Sequence, residues 1–202
     1  MLKFKTDWRP KSSVNGVLSP VLKGARITLK APSIKDYKAW HQVRQKNKSF
    51  LKTYEPSWPK DCLSNDFFSR RLERQAQERQ SGRGAFFLIH LDNQIIGGLN
   101  LNNIQMGAAR HATLGYWIDE DHQGQGYMSE AINLMIDYGF NILKLRRLNA
   151  ACLPDNHRSI KMLLSLGFEE EGYAKKYLQI NGHWQDHRLF GLVTPLSATA
   201  NA

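Results

Sequence analysis

Only two of the 202 residues are cysteine, Cys62 and Cys152. A secreted disulfide scaffold needs more, so both thiols are expected to be reduced and the chain cytoplasmic. No apolar run approaches the roughly 20 residues that cross a bilayer. The opening "MLKFKTDWRPKSS" is basic but lacks the apolar stretch of a secretory signal. The histidines are scattered and give no metal-ligand spacing with the cysteines, so no metal is expected. No paired carboxylates mark a hydrolase, and no internal repeat is visible. Acidic residues are scarce beside basic ones: 18 Asp and Glu face 28 Lys and Arg, for a formal net charge of +10. That excess does not select a fold, but it favours anionic partners such as RNA, a phosphate-rich cofactor or an acidic protein.

What the chain does have is enough apolar material for a core. Hydrophobic residues make up 42%, and a chain of this length buries roughly 70% of its unfolded surface. We expect one domain over residues 25–195, preceded by an irregular arm (1–24) with at most a short edge strand. A frayed, small-residue tail follows (196–202). "RITLKAP" alternates as a strand does. "SIKDYKAWHQVRQ" opens with a capping box, Ser33 with Asp36, ahead of helical spacing at Ile34, Tyr37, Trp40 and Val43. "FLKTYEPSWP" is read as a loop or broken turn. "SNDFFSRRLERQAQERQ" is read as a basic helix stopped by Gly82 and Gly84. "AFFLIHL" and "QIIGGLNL" flank Asp92-Asn93 as a hairpin, and "HATLGYWI" is a further strand. A helix is expected from Gly126 to Phe140 with Met128, Ala131, Ile132, Met135 and Tyr138 on one face. "RRLNAACL" is a buried strand, and "SIKMLLSL" a helix begun by Pro154 and Asn156 and ended by Gly167. A hairpin around Asn181-Gly182 closes the pattern. The class is mixed α/β, with helices covering a mostly antiparallel sheet of six to seven strands that has hairpins at both ends.

The stretch "DEDHQGQGYMSEA" holds the chemistry. A helix begins with about four unpaired N–H groups and a partial positive charge, which together attract phosphate. Gly124 and Gly126 leave those groups open to an anion, while Gln123 and Gln125 add neutral hydrogen-bonding side chains. The absence of Gly-Lys-Ser/Thr excludes a Walker loop, and the dinucleotide fingerprint lacks its third glycine. Taken alone, a tight loop-to-helix connection explains the glycines equally well.

In its setting, at the end of "LGYWI", the run Gln123-Gly124-Gln125-Gly126-Tyr127-Met128 resembles the acetyl-CoA signature of the GNAT N-acetyltransferase family. It departs from that signature only at Met128, where a small residue is usual. "GYWIDEDHQGQGYMSEA" and "PDNHRSIKMLLSLGFEEEGYAKKYLQINGHWQDHRL" are similar to the RimJ/RimL subgroup, which acetylates ribosomal-protein N-termini. They are closest to the branch acting on the N-terminal alanine of ribosomal protein S5. The resemblance runs from about Arg26 to Val193. It implies a GNAT fold with a splayed central sheet and acetyl-CoA as co-substrate. It also implies diphosphate on residues 123–128 and pantetheine paired to the backbone of Tyr116, Trp117 and Ile118, one of whose N–H groups polarises the thioester carbonyl. By the same resemblance Asn156 holds the cofactor and Ser159 protonates the departing thiolate, although a residue such as Asn156 is also an ordinary helix cap.

No catalytic base is legible. "KKYLQI" has no acid where some relatives carry a glutamate, leaving His111 and Tyr177 as candidates. A water relay also suffices, because an α-amine with a pKa near 8 asks for little at neutral pH. Tyr54, Trp58 and Trp184 are candidates for a shallow peptide cleft. The expected partner is a ribosomal-protein N-terminus, with the ribosome or a pre-30S particle reached through the basic surface, and the protein is expected to be a monomer or a dimer. Two other readings stand beside this one. The first is a small-molecule N-acetyltransferase acting on a polyamine, amino sugar or antibiotic. The second is an RNA-binding assembly factor on the same scaffold.

Overall fold

The computed structural model describes residues 13–14, 17–18 and 20–194. The expected tail at 196–202 lies outside the described residues, as does most of the expected arm. Within that arm β1 (Ser13–Val14) and β2 (Val17–Leu18) pair antiparallel.

Eight strands form the main sheet: β3 (Leu22–Lys23), β4 (Ile27–Lys30), β5 (Ala85–Leu91), β6 (Gln94–Gln105), β7 (His111–Ile118), β8 (Arg147–Cys152), β9 (Glu169–Ile180) and β10 (His183–Val193). Their order is β3-β4-β5-β6-β7-β8-β10-β9. The strand beyond the expected seven is the two-residue β3, which lengthens the edge by pairing with β4. The β5–β6 turn places Asp92 and Asn93 at positive φ, 45° and 68°, as a two-residue hairpin demands. β9 begins at Glu169, well before the alternation visible from Tyr177. As an outer strand it is mostly exposed and shows no period-two burial.

The described residues form five α-helices, α1 (Tyr37–Lys46), α2 (Lys48–Lys52), α3 (Asn65–Gln80), α4 (Tyr127–Asp137) and α5 (His157–Ser165). Residues 34–36 form a 3-10 turn rather than the first turn of α1, so Ile34 points outward, 53% exposed, instead of joining the apolar stripe. The Asp36 carboxylate still accepts the Ser33 N–H at 2.7 Å. Part of "FLKTYEPSWP" is helical, since Phe50 to Lys52 end α2. Ser64 caps α3 by accepting the Phe67 N–H.

Strand alternation divides the core into two layers. Phe87 and Ile89 of β5 face a large cluster with Met128, Ala131, Ile132 and Met135 of α4 and Ile160 and Leu163 of α5. Leu88 between them faces the other way, toward Trp40 and Val43 of α1 and Phe68 of α3. α4–α5 and α1–α3 therefore cover opposite faces. Of the neighbouring strand pairs only β7 and β8 run parallel, and such a pair needs a helical crossover, here α4. That crossover puts the start of α4 at the carboxyl end of β7. The parallel ladder is also short. It joins His111, Ala112 and Thr113 to Arg147, Leu148 and Asn149 and then ends. Beyond it, β7 pairs only with β6 and β8 only with β10, so the sheet splits along the edge of residues 114–118.

Candidate active site

At the end of β7 the chain turns on Asp119, whose carboxylate is buried. It accepts hydrogen bonds from Asn47 Nδ2 at 2.6 Å and Lys46 Nζ at 2.9 Å, and bonds His122 Nδ1 at 2.6 Å. Asn47 Oδ1 in turn accepts the Glu120 N–H. Burial pushes the Asp119 pKa up, but these partners outweigh it and leave the group below the usual carboxylate value. The next turn requires glycine. Gly124 and Gly126 sit at φ 72° and 82°, in the left-handed region. Gly126 is the N-cap of α4, and no side chain caps that helix. Arg26 holds the loop from outside. Its Nη1 donates to Gln125 O at 2.9 Å and its Nε to Glu130 Oε2 at 2.9 Å, and the guanidinium lies 4.6 Å from the Tyr127 ring centre. Burial raises Glu130, yet the backbone and side-chain bonds from Arg26 and the Ile27 N–H bring its pKa below the ordinary value.

Across the split in the sheet, α5 is capped by Asn156, whose Oδ1 accepts the Ser159 N–H at 3.2 Å. The cap reading of Asn156 therefore holds as far as its Oδ1. The Ser159 hydroxyl shares a short hydrogen bond with the Tyr116 phenol and lies 3.1 Å from the Cys152 thiol. Burial, reinforced by the nearby Cys152, drives the Tyr116 pKa far above its ordinary value despite the opposing bond to Ser159, so the phenol stays protonated. Burial also pushes the Cys152 thiol up.

These elements enclose a cleft of about 550 Å³. Of the residues singled out in the sequence, Tyr116, Trp117, Ile118, Gln123, Gly124, Gly126, Tyr127, Met128, Asn156, Ser159 and Tyr54 line it. Met128 is also 93% buried against the core, which accounts for a long side chain at that position. The other candidates lie elsewhere. The Gln125 side chain bonds Asp121 O. Trp58 lies against Arg44 with its Nε1 on Glu55. Trp184 is 61% exposed on β10. His111 is at the far end of β7, bonded to Gln105 and Asn149, and Tyr177 sits edge-on to His187. Sequence reasoning passed over the Tyr116 side chain, Cys152, Arg26 and Glu55. Strand alternation could have found the first, since Tyr116 and Ile118 face the α4–α5 layer and Trp117 the other.

The arrangement fits a thioester cofactor. An uncapped helix start with left-handed glycines suits a diphosphate, and an unpaired strand edge suits an amide-bearing arm. Among the described residues no three His, Cys, Asp or Glu side chains gather to hold a metal. No described helix is long and apolar enough to cross a membrane. The model of the acetyltransferase (GNAT) domain matches residues 26–169. The chain belongs to the GNAT acetyltransferase family. Its fold is the GNAT fold, and acetyl-CoA is its co-substrate. Over 166 residues it is 36% identical to the [ribosomal protein uS5]-alanine N-acetyltransferase of Escherichia coli, covering 80% of this chain and 86% of that one. The structure of Mycobacterium smegmatis RimJ in complex with CoA-disulfide superposes with a TM-score of 0.80 at 30% identity, covering 85% of each chain. The ribosomal-protein-S5-alanine acetyltransferase of Vibrio fischeri gives 0.81 at 30% identity, covering 86% of this chain and 96% of that one. The GNAT enzyme is therefore of the RimJ/RimL ribosomal-protein type.

Proposed function

We propose that the enzyme acetylates the N-terminal α-amine of a ribosomal protein, with the alanine terminus of ribosomal protein S5 as substrate. The observation that carries this is the 36% identity, across four-fifths of the chain, with an enzyme named for that reaction. The GNAT family supplies the thioester chemistry through acetyl-CoA. This chain's residues bind, orient and move protons. The free N–H groups at the start of α4 receive the diphosphate, with Gln123 beside them and Arg26 fixing the loop's shape. The open edge of β7 at Tyr116–Ile118 lies along the pantetheine. A backbone N–H there faces the thioester carbonyl, a contribution of about 3–4 kcal/mol to charge developing on its oxygen. Asn156 turns its NH₂ group to the cofactor while its Oδ1 caps α5. Ser159, its hydroxyl held by the protonated Tyr116 phenol, would give its proton to the sulfur as the C–S bond breaks and regain one through water from the proton the amine releases. The amine loses its proton to water, because with a pKa near 8 it needs no strong base.

The work would be done in the cytoplasm, where ribosomal proteins are made. The net charge of +10 would favour an RNA-rich particle. The basic helix α3 is less free for that purpose than its sequence suggests: Arg70 pairs with Asp61, Arg74 with Glu78, and Arg71 turns into a small cavity beside Trp40 and Gln75. The test is a steady-state panel of hexapeptides beginning with Ala or Ser, and spermidine. The alanine peptide is expected to give the highest kcat/KM. Turnover of spermidine with both peptides inert would replace this reading with a small-molecule one.

A further inference from the structure

The cleft has two faces, set by the alternation along β7. Tyr116 and Ile118 look toward α4 and α5, where the cofactor groups lie, and Trp117 looks toward α1 and α3. Two carboxylates line the cleft. Asp155 stands beside the N-cap of α5, on the cofactor side. Glu55 stands in the loop after α2, on the other side, and is far more elaborately built.

Arg44 of α1, 92% buried, donates two parallel hydrogen bonds to Glu55, from Nη1 to Oε1 and from Nη2 to Oε2, each 2.6 Å long. Trp58 Nε1 donates to Oε2 at 2.9 Å. The guanidinium lies over the rings of both Trp58, at 4.3 Å, and Trp117, at 4.9 Å. Trp117 reaches that position because β6 carries Gly98 beneath its indole. A Cβ on Gly98 would come within 2.6 Å of Trp117 Nε1. The Glu55 carbonyl accepts the Asn181 N–H at 2.9 Å, which fastens the loop to the β9–β10 turn. Five elements thus converge to hold one carboxylate in one orientation. A carboxylate offers about four acceptor positions. Two on Oε2 are filled by Arg44 and Trp58, one on Oε1 is filled by Arg44, and one on Oε1 remains.

We propose that this remaining position on Glu55 Oε1 receives the α-ammonium of the acceptor chain, making Glu55 the residue that recognises and orients the incoming amine. The inference rests on the N-terminal acetyltransferase reading and supplies the acceptor half of that site. An ammonium presents three N–H donors and a full charge, and a fixed carboxylate is the cleft-wall group on the acceptor face that complements both. Tyr54, packed edge-on against Phe50, continues the same wall and offers apolar surface to the first side chain. Glu55 binds and positions the amine. The proton the amine later loses goes to water.

The test measures binding of an alanine-initiated hexapeptide and of its desamino analogue, which has a propionyl group in place of alanyl. Calorimetry is run with CoA present at about pH 6.5, where the amine is charged. The wild type should bind the amine peptide about ten- to a hundredfold more tightly, as expected of a charge-assisted hydrogen bond. In Glu55→Gln that preference should collapse to about twofold or less, while CoA affinity stays at the wild-type value. A purely structural role would lower CoA affinity and melting temperature and leave the preference in place. Equal binding of the two peptides by the wild type overturns the proposal without any variant, and an unchanged preference in Glu55→Gln overturns it as well. Acetylation of the peptide by the wild type is followed separately, so failure of the inference is distinct from failure of the function. Should the wild type acetylate spermidine and not the peptide, the same ratio is read for spermidine against the diol of equal length.

Discussion

Ser159→Ala and Tyr116→Phe should be unequal, although each removes one oxygen from the same hydrogen bond. The Ser159 hydroxyl has two neighbours, the Tyr116 phenol and the Cys152 thiol. Deleting the phenol oxygen leaves Ser159 a partner in Cys152, so Tyr116→Phe should cost at most about 1 kcal/mol. Deleting the serine oxygen leaves the buried Tyr116 O–H only a weak sulfur acceptor, at a cost of about 1–3 kcal/mol. For a chain of this length each kcal/mol moves the melting temperature by roughly 2–4 °C. The serine variant should therefore melt several degrees lower than the tyrosine variant. Because the two oxygens touch, the double variant should depart from additivity by about 0.5–3 kcal/mol. Activity should follow the opposite logic of shared function. Each single variant loses about a hundredfold in kcat, the usual effect of removing a positioned acid, and the double variant falls little further because both oxygens serve one proton path. Thermal melts and single-turnover kinetics on an alanine peptide give both readouts. A Ser159→Ala enzyme with kcat within about twofold of wild type would refute the proton path, since the removed acid should matter far more than that.

The glycines provide a second comparison. Gly124, Gly126 and Gly167 share positive φ, at 72°, 82° and 87°, so alanine at each should cost about 1–2 kcal/mol of stability. Acetyl-CoA affinity should fall at least about tenfold for Gly126→Val and remain unchanged for Gly167→Ala, which lies at the far end of α5. Acid provides a third. Asp119 and Glu130 both have folded pKa values below their unfolded ones, so their stabilisation is present above about pH 4.5 and lost as pH falls through the lower folded values. The melting temperature should hold from neutral pH to about 5 and then drop, and Asp119→Asn should flatten that drop. A drop of equal size in Asp119→Asn would show that the anchor at the end of β7 contributes little to acid sensitivity.

The sequence announced the parts of this molecule that obey a period. The α4 face of Met128, Ala131, Ile132 and Met135 is buried as the 3.6-residue spacing requires, Tyr138 is buried in the π turn (138–142) that replaces the last expected turn of that helix, and β7 spans the stretch "HATLGYWI". Gly124 and Gly126 were legible because few other residues adopt their backbone angles. β9 was only half legible, because an outer strand exposed along most of its length has no burial alternation to reveal it. The acceptor side of the cleft was hidden for a different reason. Glu55 sits in an irregular segment, just ahead of Pro56, Trp58 and Pro59. Its meaning comes from Arg44, Trp117 and Asn181, which are brought to it by tertiary packing and share no motif with it. His111 shows the converse: a conspicuous residue type on the right strand, but at the wrong end of it, engaged with Gln105 and Asn149.

The most direct test of the proposed activity is mass spectrometry of ribosomal proteins incubated with the purified enzyme and acetyl-CoA, with fragmentation to place each acetyl group. The account predicts a single new acetyl group, on the α-nitrogen of the alanine terminus of ribosomal protein S5, absent when the Gly126→Val enzyme is used. Acetyl groups confined to lysine side chains, or none on any ribosomal protein while a polyamine is consumed, would contradict it.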